Sequence, residues 1–242
     1  MLKNKYRFLA GMSVVILLAF GLTGCLKSGS NTPAQKLTYI NFVHLGVTLP
    51  SVDLYFKDTR VSSTAFGYNS GSGTYATVEP GTFGVKFKKY GGDSLVAEVP
   101  NALYDSLLAY SLVLYNDEEG IGRAAKVSDN FTNVQTTKAN YRFWNYGMGV
   151  EAVDFFIGDS KVSSFRRLED NVGNSNPYNE FTSIASGNYK LTAKVAGTDE
   201  VIATTTSNVD MPAGSVYTFY LRGKKDSTGI YVPTIGLIKN FN

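Results

Sequence analysis

Residues 52–63 read VDLYFKDTRVSS, and residues 153–164 read VDFFIGDSKVSS. Six of the twelve positions are identical. Five more exchange similar residues: Leu54 with Phe155, Tyr55 with Phe156, Phe56 with Ile157, Thr59 with Ser160 and Arg60 with Lys161. Only Lys57 against Gly158 changes character. A self-match of this length marks an internal repeat, and it governs how the rest of the chain is read. The offset is 154 − 53 = 101 and holds upstream, where Phe42 falls on Phe143, His44 on Asn145 and Gly46 on Gly147. Downstream it grows: Gly81 falls on Gly187 (106) and Tyr110 on Tyr217 (107). The second copy therefore carries about five extra residues, which the alignment places in one loop within 168–180.

The repeated elements read as strands. Val52, Leu54 and Phe56 alternate with Asp53 and Tyr55, and Val153, Phe155 and Ile157 alternate with Asp154 and Phe156. Phe83, Val85 and Phe87 share a face, as do Tyr189 and Leu191. So do Tyr110, Leu112 and Leu114, matched by Tyr217, Phe219 and Leu221. KDTR, GDSK, PGT and SGN lie between the strands and have turn chemistry. Residues 102–109 are the best helical window, but the matching segment contains Met211-Pro212-Ala213-Gly214, which argues a loop. The expected fold is all-β: two tandem immunoglobulin-like β-sandwich domains after a lipoprotein signal peptide. The expected bounds are 37–130 and 140–242, joined by a polar linker at 131–139.

The chain begins MLKNKYRFLAGMSVVILLAFGLTGC. Lys3, Lys5 and Arg7 form a basic region, and an apolar run over 8–20 follows that is too short to span a bilayer comfortably. Leu22-Thr23-Gly24-Cys25 has the form of a lipobox. Residues 1–24 therefore read as a lipoprotein signal peptide and Cys25 as the lipidation site. Cys25 is the only cysteine, so no intramolecular disulfide and no cysteine-based zinc site can form. A thioether to lipid also removes the redox liability of an exported free thiol. Residues 25–36 are small and polar and read as a flexible tether. Leu26, with no aspartate after the cysteine, matches the lipoprotein pattern for outer-membrane delivery, facing the periplasm or the cell surface.

The net charge of +3 belongs to the precursor. Residues 1–24 hold three basic residues and no acid, so the mature chain is +3 − 3 = 0. A neutral mature domain lacks the basic stripe that a nucleic-acid partner requires.

Both halves resemble the DUF4397 family, a bacterial extracytoplasmic module. The resemblance rests on the strand ending in His44, on V-D-L-Y-F at 52–56, and on Glu79-Pro80-Gly81-Thr82 before an aromatic strand. It covers nearly the whole mature chain. The second half departs from the pattern with Asn145 in the histidine position and Ser186-Gly187 without the proline. The resemblance implies a β-sandwich and an envelope location and carries no activity.

The chemistry-bearing candidates are few. His44 is the only histidine, so any general base of that type must use it. Asn145 in the matching position cannot exchange a proton but offers the same donor and acceptor pair, which favours a structural role for both. Asp53 and Asp154 lack the neighbouring acids of a calcium loop and are expected to accept hydrogen bonds from nearby backbone. Residues 169–180, EDNVGNSNPYNE, concentrate Asp170, Asn171, Asn174, Asn176, Asn179 and Glu180 and are the best local candidate for calcium, against a solvated-loop reading that the composition favours. Sixteen Tyr and fifteen Phe, with Trp144, suit either sheet cores or sugar stacking, and the core reading is preferred. The expectation is a non-catalytic envelope module with no metal or cofactor, held by its lipid anchor to the membrane. Its possible partners are a glycan or an envelope protein. A carbohydrate-binding accessory to glycan uptake and a fimbrial or adhesin subunit are the alternatives.

Overall fold

Alternation of apolar and polar side chains creates strands with one face for a core, and each repeat builds two sheets from them. The computed structural model describes residues 36–171 and 177–241. The expected signal peptide over 1–24, Cys25, nearly all of the expected tether, Asn174 and Asn176 lie outside the described residues.

The first half contains β1 (Thr38–His44), β2 (Val52–Phe56), β3 (Thr59–Arg60), β4 (Ala76–Val78), β5 (Gly81–Lys89), β6 (Leu95–Tyr104), β7 (Ala109–Asn116) and β8 (Gly122–Asp129). They form sheets of order β4-β1-β7-β8 and β3-β2-β5-β6. The second half contains β9 (Ala139–Asn145), β10 (Val153–Ile157), β11 (Ser160–Arg166), β12 (Thr182–Ile184), β13 (Gly187–Tyr189), β14 (Leu191–Val195), β15 (Val201–Thr204), β16 (Val209–Met211), β17 (Val216–Arg222) and β18 (Thr234–Phe241). Its sheets are β12-β9-β17-β18 and β11-β10-β14-β15, with β13 paired to β16. The described residues contain short 3-10 turns and no α-helix.

The repeat is carried down to register. In the first half Ile40 pairs with Tyr110 in the parallel β1–β7 ladder; in the second, Tyr141 pairs with Tyr217 in the parallel β9–β17 ladder. Val52 opposes Lys89, and Val153 opposes Val195. Gly81 opposes Tyr104, and Gly187 opposes Met211. The inserted residues fall between β11 and β12. Residues 102–104 end β6 as strand and the following four residues turn into β7.

Each half closes an apolar core of its own. Ile40, Phe42, Val52, Leu54, Phe83, Val85, Phe87, Leu112 and Leu114 fill the first. Tyr141, Phe143, Val153, Phe155, Ile157, Phe219 and Leu221 fill the second, with Phe143 stacked on Phe155 at 4.1 Å. The alternation read from the sequence predicts these faces correctly.

The opposite faces of the central strands are also buried. Val43, Leu45, Val113, Tyr115 and Val127 pack against Trp144, Tyr146, Leu168 and Tyr220 in a third cluster that joins the halves. Four sheets are thus layered, and Lys36–Asn242 forms one compact unit. Burial of each large apolar side chain contributes about 1.5–3 kcal/mol, so this third cluster couples the two repeats strongly. The connection over 131–139 is short and pinned: the Gln135 N–H donates to Asn140 Oδ1 at 2.8 Å, and Asn140 Nδ2 donates back to Gln135 O at 2.9 Å.

Candidate functional site

β1 and β9 both end in a polar residue buried under the loop that follows. The Gly46 N–H donates to His44 Nδ1 at 3.2 Å, which leaves Nε2 to donate to Pro50 O at 3.1 Å. In the second half the Gly147 N–H donates to Asn145 Oδ1 at 3.1 Å, and Asn145 Nδ2 donates to Glu151 O at 3.3 Å. The acceptor is i+6 and the donor i+2 in both cases, so histidine and asparagine play the same part, tying the strand end to its loop. Glycine at i+2 leaves room for the loop: a Cβ at Gly46 would lie 2.4 Å from the Leu49 side chain and one at Gly147 2.7 Å from that of Val150, so each neighbour would have to shift. Burial holds the His44 imidazole below its usual pKa, with the hydrogen bond to Pro50 O opposing.

Asp53 and Asp154 are buried hairpin clamps. Asp53 accepts from Arg60 at 2.7 Å, from the Ser62 hydroxyl at 3.2 Å and from the Gly91 N–H at 3.4 Å. Asp154 accepts from Lys161 at 3.0 Å, from the Phe165 N–H at 3.0 Å and from the Gly197 N–H at 3.2 Å. Desolvation pushes both carboxyls up, but their hydrogen bonds and cationic partners outweigh it and hold them below the ordinary carboxylate range. The expected backbone bonds are present, and each aspartate has a cation besides.

The loop after β11 is built around Asn171. Its Oδ1 accepts from the Asn145 N–H at 3.0 Å, and its Nδ2 donates to Asn145 O and to Leu168 O. The first half makes the same contacts with main chain: the His44 N–H donates to Ser70 O, and the Asn69 N–H to His44 O. A side-chain amide therefore replaces a peptide group at the end of β9. Asn179 is buried as well and accepts from Trp144 Nε1 at 2.9 Å. Asp170 accepts from the Arg167 N–H, and Glu180 from Asn130 Nδ2. The described oxygens of this loop thus serve the fold, and among the described residues no group of three His, Cys, Asp or Glu stands close enough to hold a metal ion.

The outer sheet faces carry another matched pair. Lys88 lies 4.7 Å over Tyr55 and bridges to Asp93; Lys194 lies 5.0 Å over Phe156 and bridges to Asp199. A lysine ammonium sits over each of these rings, so they do not present an open sugar platform. Among the described residues the exposed rings are Tyr39 on β1, Phe165 on β11, and Tyr90, Tyr178 and Tyr231 outside the strands. Phe165 occupies a register shift in β11 at φ +51°, a conformation a bulky residue rarely adopts.

Sequence reading missed the polar centre between the halves. Arg142 on β9 and Asp129 at the end of β8 form an ion pair of 2.5 Å with both side chains fully buried. Arg142 also donates to Thr218 Oγ1 and to Asn179 O, and its guanidinium lies 4.3 Å from the Trp144 ring and 4.4 Å from Phe181. Asp129 accepts from the Tyr75 and Ser111 hydroxyls at 2.6 and 2.8 Å. Asn240 closes the circuit, donating to Tyr75 and accepting from Thr218. The signal in the sequence is the arginine inside NYRFWNY: a charge amid buried aromatics needs a partner on whatever covers that face.

Open clefts lie at the two ends of the strands. One of about 760 Å³ is lined by Tyr39, Tyr75, Leu107, Leu108 and Phe131, and one of about 450 Å³ by Glu118, Glu151, Phe165 and Arg167. His44 lines neither. No protein-family model matches the chain, and no curated protein matches it.

Proposed function

We propose that this chain is an exported, lipid-anchored protein of the bacterial cell envelope. Cys25 carries the anchor in the outer membrane, and the two halves, which resemble the DUF4397 family, act as a non-catalytic structural or binding module. The observation that carries the reading is the N-terminal sequence: a basic segment, an apolar run and Leu22-Thr23-Gly24 before the only cysteine. It is supported by the polar groups of the fold. His44, Asp53 and Asp154 spend their hydrogen bonds on neighbouring loops and turns, and each has a counterpart doing the same in the other half. A stack whose strand-end and hairpin polar groups are tied to its own loops suits spacing or presentation better than turnover.

The test is Cys25→Ala in cells, with globomycin treatment of the parent protein. The parent should accumulate as precursor under globomycin and partition with membranes. The variant should lose that sensitivity and leave the membrane fraction. A variant that still partitions with membranes would overturn the proposal.

A further inference from the structure

The turn between β6 and β7 sets the two repeats apart. The second half reads Met211-Pro212-Ala213-Gly214-Ser215, and the first reads Tyr104-Asp105-Ser106-Leu107-Leu108. The backbones match bond for bond. The Gly214 N–H donates to Lys138 O at 2.9 Å, and the Leu107 N–H to Leu37 O at 2.7 Å. The Ser215 N–H donates to Pro212 O, and the Leu108 N–H to Asp105 O. Both turns demand a left-handed residue, with Gly214 at φ +80° and Leu107 at φ +66°. Glycine takes that conformation freely, whereas an L side chain costs about 1–2 kcal/mol there.

Packing returns little for that strain, because Leu107 is 64% exposed. Leu108 is 51% exposed where the second half has buried Ser215, and Leu103 is 53% exposed where it has Asp210. Three leucines thus stand in water on one end of the first half, one of them on strained backbone. The fold gains little from their exposed surface.

Their location says what they meet. Leu107 bonds to Leu37, and the Tyr39 N–H donates to Leu108 O at 2.9 Å, so the turn flanks the start of the described fold. Ten residues separate Cys25 from Lys36. A chain of that length spans roughly 35 Å when extended and about 17–20 Å as a coil. We infer that Leu103, Leu107 and Leu108 dock on the bilayer that holds the Cys25 anchor, with their side chains at the boundary of headgroups and acyl chains. The inference rests on the reading of Cys25 as lipidated. It orients the molecule: β1 and β7 rise away from the membrane, and the turn between β7 and β8 stands about 25 Å further out.

The experiment uses the full-length lipidated protein in phosphatidylethanolamine/phosphatidylglycerol vesicles. With the Cys25 sulfur in a thioether, Leu108→Cys or Glu118→Cys introduces a single free thiol for a nitroxide label. Collision with oxygen and with a water-soluble nickel chelate then reports depth. The label at 108 should favour oxygen severalfold over the label at 118. A second pair of samples carries the label at Leu103→Cys, with and without Leu107→Gly and Leu108→Ser, which transplant the other half's turn and fit its backbone. The transplant should return the label to water. Labels at 108 and 103 as water-exposed as that at 118, on protein that floats with the vesicles, would overturn the docking surface while sparing the anchor. Protein that fails to float would overturn the anchor and the inference with it.

Discussion

Replacing Arg142 with methionine separates a joined pair of halves from two independent ones. Methionine fills most of the volume between Trp144 and Phe181 but supplies no charge and no donors. Asp129 would keep its two hydroxyl donors and lose the Arg142 cation, with its side chain still fully buried. Breaking a buried pair by removing one partner costs about 3–5 kcal/mol, because the remaining charge is desolvated without compensation. For a unit of roughly 200 residues, each kcal/mol lowers Tm by about 2–4 °C, so the drop should be roughly 6–20 °C. Thermal and denaturant unfolding of the purified protein, followed by tryptophan fluorescence and circular dichroism, measures it. Trp144 lies in the shared cluster, so the two signals should change together in one transition. Adding Asp129→Asn to Arg142→Met removes the orphaned charge and should recover much of the loss. A loss within about 1 kcal/mol, the range of exposed ion pairs, or a fluorescence change well ahead of the circular dichroism, would refute the shared core.

Other expectations are more local. His44→Asn should fold with a stability within about 1 kcal/mol of the parent, because asparagine already makes both bonds in the second half, whereas His44→Ala strands the Gly46 N–H and the Pro50 carbonyl at a cost of about 1–3 kcal/mol. The histidine should also show in pH. Its folded pKa is lowered, so its contribution is fully present above the unfolded value of 6.5 and is lost as pH falls through that value toward the folded one. His44→Asn should abolish that loss, and denaturant midpoints between pH 8 and 5 decide the matter. Asp53 and Asp154 also have lowered folded pKa values, so their contribution persists above the unfolded 3.8 and disappears as pH drops through the folded values; Asp154→Asn should flatten part of the acid limb below pH 4. Gly223→Ala should destabilise by about 1–3 kcal/mol, since Gly223 sits at φ +108° and a Cβ there would lie 2.4 Å from Val232 O. Thermal unfolding of that variant is a direct check.

The sequence discloses what alternates and what repeats. Val52, Leu54, Phe83, Val85 and Phe87 declare a core face because polar residues separate them, and the matching series in the second half fixes the same sheet order. The His44 and Asn145 pair was legible for the same reason: one repeat supplies the control for the other. The shared core was hidden because β1, β7, β9 and β17 are buried on both sides, and a strand buried on both faces shows no alternation to read. ANYRFWN on β9 looks like an aromatic strand with one misplaced charge until Asp129 is seen beside Arg142. The expected polar loop at 169–180 hid its role differently. Asn171 and Asn179 have the composition of solvated turn residues, and only the fold reveals that they substitute for main chain and hold Trp144. Leu107 was silent too, since a positive φ has no signature unless glycine or asparagine marks it.

The claim that bears most weight is the anchor at Cys25, and intact mass spectrometry of the protein purified from bacterial membranes tests it directly. The account predicts a mature chain that begins at Cys25 and carries a diacylglyceryl group on the sulfur, with the tryptic N-terminal peptide correspondingly heavy and apolar. A chain that still begins at Met1, or one cleaved to leave a free and alkylatable Cys25 thiol, would contradict it.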